Sequence, residues 1–211
     1  MLGEAVDQVG GPQIRNIGTI GGNICNGAVS ADSVPTVFSY NSLLHIANAD
    51  GGRVVPVREF YLGPGRVALK QGEVLTHVVI PRAEYEGYHG HYIKYSMRNA
   101  MDIATLSCSV VSKVDLETKI LEDVRITFGV AAPVPYRCVE TEELLKGQNL
   151  SESLSEAFAE LPQMFGSVEV LEKAKKLTSN PEALSAVKRL EEIYEILKVY
   201  GCEKYIAFDF G

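Results

Sequence analysis

The stretch LSCSVVSKVDLETKILEDVRITFGV, residues 106–130, decides the fold class. Its first nine residues, 106–114, read as one strand, and Asp115-Leu116-Glu117-Thr118 has the composition of a turn. Val124, Ile126, Phe128 and Val130 then alternate with Arg125, Thr127 and Gly129. That period of two belongs to a strand with one buried face, so the stretch predicts a long hairpin or meander. Further strands are expected upstream, where the apolar runs 43–47 and 74–80 are bounded by Asp50-Gly51-Gly52, Gly63-Pro64-Gly65 and Pro81.

Downstream the period changes. Asn180 before Pro181 reads as an N-cap followed by proline at the first helical position. Leu184, Val187, Leu190, Ile193 and Leu197 continue an apolar stripe at helical spacing until Gly201. Val170, Leu171, Ala174 and Leu177 suggest an earlier helix, with Lys173, Lys175 and Lys176 on its wet face. Tyr205-Ile206-Ala207-Phe208 reads as a strand that needs a sheet to join. The fold expected is α+β, mainly antiparallel sheet followed by a helical C-terminal segment.

Composition agrees that the chain has two unlike parts. Residues 1–150 hold 16 acidic and 13 basic residues and 16 of the 19 glycines, whereas the last 61 residues hold 11 acidic and 7 basic residues and three glycines. With 211 residues, 46% of them hydrophobic, the chain is long and apolar enough to build a core. No run approaches the roughly 20 apolar residues of a membrane span, and no signal-peptide pattern follows Met1. A formal net charge of −7 without a Lys/Arg block argues against nucleic acid as the main partner. A cytoplasmic chain is expected, with Cys25, Cys108, Cys138 and Cys202 as free thiols because their spacing writes no metal motif. His89 and His91 could put two imidazoles on one side of a strand, or simply belong to a polar turn that runs into it.

The segment richest in chemical suggestion is QIRNIGTIGGNICNG, residues 13–27. Gly18, Gly21, Gly22 and Gly27 would let the backbone take positive φ and come close to a ligand, with N–H groups aimed at an anion. Thr19 and Asn23 add a hydroxyl and an amide able to bind phosphate or sugar oxygens. The segment reads either as a nucleotide-type ligand loop or as a tight structural turn; it is neither a P-loop nor a G-x-G-x-x-G fingerprint. Asp32 is a further polar group close by, or the cap of a short helix starting near Ser33.

Residues 14–24, IRNIGTIGGNI, resemble the second FAD-binding motif of the flavoprotein subunits of molybdenum hydroxylases. The continuation CNGAVSADS at 25–33 is similar to the xanthine-dehydrogenase type of FAD-binding subunit. Colinear matches follow at 63–65 (GPG), 72–75 (GEVL), 92–103 (YIKYSMRNAMDI) and 128–133 (FGVAAP). The resemblance implies that Thr19, Ile20, Gly21, Gly22 and Asn23 hold the FAD pyrophosphate and its sugar-like chain. It implies an acidic cofactor residue at Asp32, an apolar contact to the flavin ring at Leu75, and a lysine near the polar edge of the flavin at Lys94; a plain strand lysine is the other reading of Lys94. Asp102 matches a loop residue facing the flavin region. Partners carrying iron–sulfur clusters and a molybdopterin centre are implied, with NAD as electron acceptor.

The resemblance also sets out a domain plan: 1–83 as the C-terminal part of an FAD-binding domain, 84–154 as the flavoprotein C-terminal-type β domain, and 155–211 as a helical tail. The family places another half-domain, with its own pyrophosphate loop, ahead of the motif, so an N-terminally truncated FAD site, about half encoded, is expected. The tail resembles an internal segment of the histidyl-tRNA-synthetase-like regulatory subunit of ATP phosphoribosyltransferase, from which no site residue transfers. Two other functions compete with the flavoprotein reading. One is a flavin-free module that docks to the other subunits; the other is a regulatory protein acting through its tail.

Overall fold

The computed structural model describes residues 1–98, 101–150, 165–166, 169–177, 181–199 and 208–209, in two units divided between Asn149 and Leu150. The first unit opens with four short helices, α1 (Leu2–Asp7), α2 (Pro12–Ile17), α3 (Ile20–Cys25) and α4 (Ser33–Ser39). A three-stranded antiparallel sheet follows, with β1 (Leu43–Asn48) in its centre between β2 (Gly51–Pro56) and β5 (Val74–Val79). Between β2 and β5 lie α5 (Val57–Phe60) and a small ribbon of β3 (Tyr61–Gly63) and β4 (Arg66–Val67). The β1–β2 turn is closed by Asn48, whose Oδ1 accepts from the N–H groups of Asp50 and Gly51, both at 3.0 Å. Leu44 and Ile46 of β1 turn inward onto Ile24, Val34, Val37, Phe38, Phe60 and Tyr61, which form the apolar core.

The second sheet is an antiparallel meander in the order β6 (His89–Tyr95), β7 (Leu106–Val114), β8 (Leu121–Gly129) and β9 (Tyr136–Arg137), followed by α6 (Val139–Leu145). The hairpin read from residues 106–130 is β7–β8, in register from Ser107↔Gly129 to Ser112↔Val124. Its turn is held by Asp115, whose Oδ1 accepts from Glu117 N–H at 2.9 Å.

The face that β8 buries most fully differs from the one its alternation predicts. Arg125, Thr127 and Gly129 are buried, whereas Ile126 and Phe128 are half-buried. The cause is α4, which lies against β7 and β8 with every residue from Ser33 to Ser39 buried. Its hydroxyls meet those of the sheet: Ser39 Oγ lies 2.8 Å from Thr127 Oγ1, and Ser109 Oγ donates to Ser39 Oγ at 3.0 Å. Arg125 reaches the same seam, donating to the Ser39 carbonyl at 3.2 Å while paired with Glu84 at 2.7 Å and Asp123 at 3.1 Å. Ser39, Ser109, Arg125 and Thr127 thus find partners for the polar groups they bring inward, and from Arg125 to Gly129 the strand's polar face is the one buried most fully.

In the second unit, the helix Glu169–Leu177 buries Val170, Leu171 and Ala174, and the helix Pro181–Val199 buries Val187. Leu184 and Leu190 are half-buried and Ile193 is exposed, so the predicted stripe narrows toward its end; the Leu197 side chain, Asn180 and Gly201 lie outside the described residues. Lys175 pairs with Glu172 on its own helix at 3.0 Å and with Glu191 on the next. Of the strand expected at Tyr205-Ile206-Ala207-Phe208, residues 205–207 lie outside the described residues; Phe208–Asp209 pairs antiparallel with Phe165–Gly166. Among the described residues no helix is long and apolar enough to cross a membrane.

The first sheet carries a charge clamp with a pH signature. Glu73 accepts from Arg53 Nε and NH2 at 2.8 Å each and from Lys70 N–H at 2.8 Å. These bonds hold its carboxyl down at about 2, from an ordinary 4.5. A carboxyl lowered on folding stabilises the protein above its unfolded pKa and loses that contribution as pH falls toward the folded one. Acid titration of thermal stability should therefore show a loss between about pH 4.5 and 2 that is reduced in Glu73→Gln, and equal acid slopes would contradict the clamp.

Candidate functional site

The helices α1, α2 and α3 and the start of α4 surround a cavity of about 760 Å³. Leu2, Val6 and Val9 form one apolar wall, Ile14 and Ile20 another, and Thr19, Gly22, Asn23 and Ser33 line a polar edge. The size and the balance of a mostly apolar wall with a few polar groups are those of a cofactor pocket. Asp7 and Arg15 add opposite charges to the lining. Arg15 is tied to the chain: its NH1 donates to the carbonyls of Val9 at 3.1 Å and Gly10 at 3.4 Å, bracing the turn between α1 and α2.

The glycine-rich segment 13–27 is helical where a loop was expected. Pro12 starts α2, Gly18 and Thr19 are extended, and α3 begins at Ile20. Thr19 is the reason: its Oγ1 caps α3 by accepting from Gly22 N–H at 3.0 Å. The only positive φ in the segment is at Gly27, +68°, where a Cβ would lie 2.9 Å from the Gly65 carbonyl carbon. At Gly21, by contrast, a Cβ would touch only Leu75 Cδ2, at 3.9 Å. With Gly22 N–H taken by Thr19 Oγ1 and Asn23 N–H by the Thr19 carbonyl, the first-turn amides of α3 left without an acceptor in the helix are those of Ile20 and Gly21.

Of the residues predicted from sequence, Thr19, Ile20, Gly22 and Asn23 are brought together around the cavity. Gly21 and Leu75 lie against each other, where α3 packs on β5. Asp32 and Lys94 form a buried ion pair, Nζ to Oδ2 2.9 Å, with side chains 8% and 6% exposed. Lys94 gives its other two protons to carbonyls of the chain, Gln8 at 2.9 Å and Asp102 at 2.8 Å. Asp32 stands at the N-cap position of α4 but makes no capping bond, because its carboxylate faces Lys94 and the Tyr92 hydroxyl, which donates to Oδ1 at 2.7 Å. Burial first, and then the bond to Asp32, pushes the Tyr92 phenol far up.

Asp102 organises its own loop. Its carboxylate accepts from Arg98 N–H at 2.8 Å and Ile103 N–H at 3.0 Å. Sequence reasoning missed Tyr92, although its place two residues before Lys94 puts both on one face of a strand. It also missed Ser33, which carries no spacing signal and whose Oγ donates to Asn23 Oδ1 at 2.6 Å. His91 lies on β6 with its Nδ1 3.1 Å from Glu4 Oε2 of α1. Among the described residues no group of three or more His, Cys, Asp or Glu side chains is placed to hold a metal ion.

Residues 1–83 match the FAD binding domain in molybdopterin dehydrogenase, and residues 91–169 match the CO dehydrogenase flavoprotein C-terminal domain. The two matches, in that order, define a flavoprotein of the molybdopterin dehydrogenases. The chain belongs to the family of FAD-binding subunits, or medium chains, of xanthine and CO dehydrogenases. It is 40% identical over 156 residues to the xanthine dehydrogenase FAD-binding subunit of Escherichia coli O157:H7, covering 74% of this chain and 53% of that one. It is 30% identical over 159 residues to the nicotinate dehydrogenase FAD-subunit of Eubacterium barkeri, again over 74% of this chain and 53% of the relative. A solved structure of carbon monoxide dehydrogenase from Hydrogenophaga pseudoflava superposes with a TM-score of 0.64 at 27% identity, covering 74% of this chain and 53% of that one. The chain thus spans about half the length of the curated relatives it matches.

The Lys94–Asp32 pair gives a direct test. Replacing Lys94 by Met leaves a carboxylate buried with Tyr92 as its remaining side-chain partner, which should cost about 3–5 kcal/mol in chemical denaturation. Adding Asp32→Asn removes the stranded charge and should restore part of the loss; a Lys94→Met variant as stable as the parent would show that the pair does not hold α4 to the sheet.

Proposed function

We propose that the chain is an FAD-binding electron-transfer subunit, or part of one, of a xanthine-dehydrogenase-like molybdenum hydroxylase. In this role it works in the cytoplasm beside an iron–sulfur subunit and a molybdopterin subunit and passes electrons through FAD to NAD. Membranes and nucleic acids have no part in it. The observation that carries this reading is the cavity itself: four residues of the FAD motif, Thr19, Ile20, Gly22 and Asn23, line one edge of a pocket large enough for part of a dinucleotide, inside the segment that matches an FAD binding domain.

The residues present fit that group in kind. The Ile20 and Gly21 amides and the Thr19 and Asn23 side chains supply uncharged donors for a pyrophosphate and its polyol. Gly21 keeps the main chain open beside Leu75, so that Leu75 can offer an apolar surface to a ring. Asp32 and Lys94 tie the start of α4 and the Asp102 carbonyl to β6. Leu2, Val6 and Ile14 on the cavity lining would pack against the apolar part of a ligand. Bound FAD would supply the redox chemistry, accepting electrons and releasing them as a hydride equivalent.

The reading is tested on the purified full chain. Flavin absorbance near about 450 nm, or a thermal stabilisation on adding FAD at 100 times its Kd worth about 2.7 kcal/mol, is the expected result. Asn23→Leu should weaken FAD retention at least several-fold by removing a donor from the polar edge. A colourless protein that gains no stability in excess FAD would overturn the reading for this chain and favour a flavin-free docking module instead.

A further inference from the structure

Asn23 has a divided role in the structure. Its Oδ1 accepts a 2.6 Å hydrogen bond from Ser33 Oγ, while its NH2 group has no partner among the described residues and belongs to a side chain on the cavity wall. An unrestrained carboxamide can rotate to offer either its oxygen or its nitrogen, and for an anionic ligand the two are opposite in sign. Ser33 decides between them. It is only 1% exposed, it is the first residue of α4, and its neighbour Asp32 is locked to Tyr92 and Lys94. Its hydroxyl therefore approaches Asn23 from a fixed point, and a hydroxyl that donates to Oδ1 leaves the NH2 turned away from α4.

We propose that Ser33 is a positioning residue for the cofactor edge: it holds the Asn23 carboxamide in the orientation that presents its NH2 to a phosphate or polyol oxygen. This rests on the FAD reading above for the identity of the ligand, but the orientation itself is a property of the free chain. The arrangement confers discrimination as well as affinity. With Oδ1 turned to Ser33, a ligand group that only donates hydrogen bonds meets the NH2 in place of the carbonyl oxygen, whereas a phosphate or polyol oxygen finds a preorganised donor.

Two measurements on the full chain test it. The first is the side-chain amide pair of Asn23 in a ¹H–¹⁵N spectrum, identified by its loss in Asn23→Ala. Ser33→Ala should shift or broaden that pair while leaving the dispersed backbone resonances in place, and an unchanged pair overturns the proposal. The second is FAD affinity in a double-mutant cycle. Ser33→Ala alone should weaken binding about fivefold, the worth of one neutral hydrogen bond, and should have almost no effect in the Asn23→Ala background. An equal loss in both backgrounds would mean that Ser33 acts on the ligand directly, which also overturns the proposal. If no form binds FAD, the functional reading fails while the amide spectrum still decides whether Ser33 orients Asn23.

Discussion

The first unit depends on one buried charge pair. Lys94 lies on the inner face of β6, and its ammonium meets the Asp32 carboxylate at the start of α4, the Gln8 carbonyl after α1 and the Asp102 carbonyl in the loop beyond β6. Those three acceptors come from three separate elements. A buried ammonium with all its protons taken, facing a carboxylate that also receives the Tyr92 hydroxyl, avoids most of the penalty of an isolated charge. What the pair contributes is geometry more than net stability, since an apolar replacement of the whole set could be as stable but would not fix where α4 begins.

The consequence runs along α4. With its N-cap residue Asp32 held by the ion pair and its last residue by the hydroxyl contacts of Ser39 with Ser109 and Thr127, the helix is held at both ends against the meander sheet. Its other side, through Val34, Val37 and Phe38, belongs to the apolar core under β1. One seven-residue helix thus joins a polar seam to an oily one. Ser33 is the point where this framework meets the cavity, through Asn23. The polar edge of the cavity therefore rests on the most buried helix of the unit, although Thr19 and Ile20 on its rim are exposed.

Much of this was legible in the sequence and some was not, for physical reasons. The β7–β8 hairpin and the helix from Pro181 were readable because their periods are long and their stop signals local. The burial of β8 on its polar face was not, since alternation says which residues share a face and leaves open whether that face meets oil or the hydroxyls of another element. Glycine density at 18–22 suggested a loop, but the cap from Thr19 Oγ1 to Gly22 N–H outweighs the weak helix propensity of two glycines over so short a helix. Asp32 had the spacing of a cap, and lost that role to two buried partners on β6 that lie 60 and 62 positions away in the chain.

The same competition explains how Lys94 acts. A lysine with free protons beside a ligand would attract any anion, at the full cost of desolvating its charge when the site closes. Here the charge is already desolvated and compensated within the fold, so what remains at the cavity's polar edge is largely neutral: amides of α3, the Thr19 hydroxyl and the Asn23 NH2. Neutral donors fixed by a rigid framework can meet a phosphate with little reorganisation. The ion pair and the polar edge are in that sense one device: Lys94 and Asp32 set the geometry from a hidden layer, and the neutral donors that this geometry aims share the cavity lining with the charges of Asp7 and Arg15.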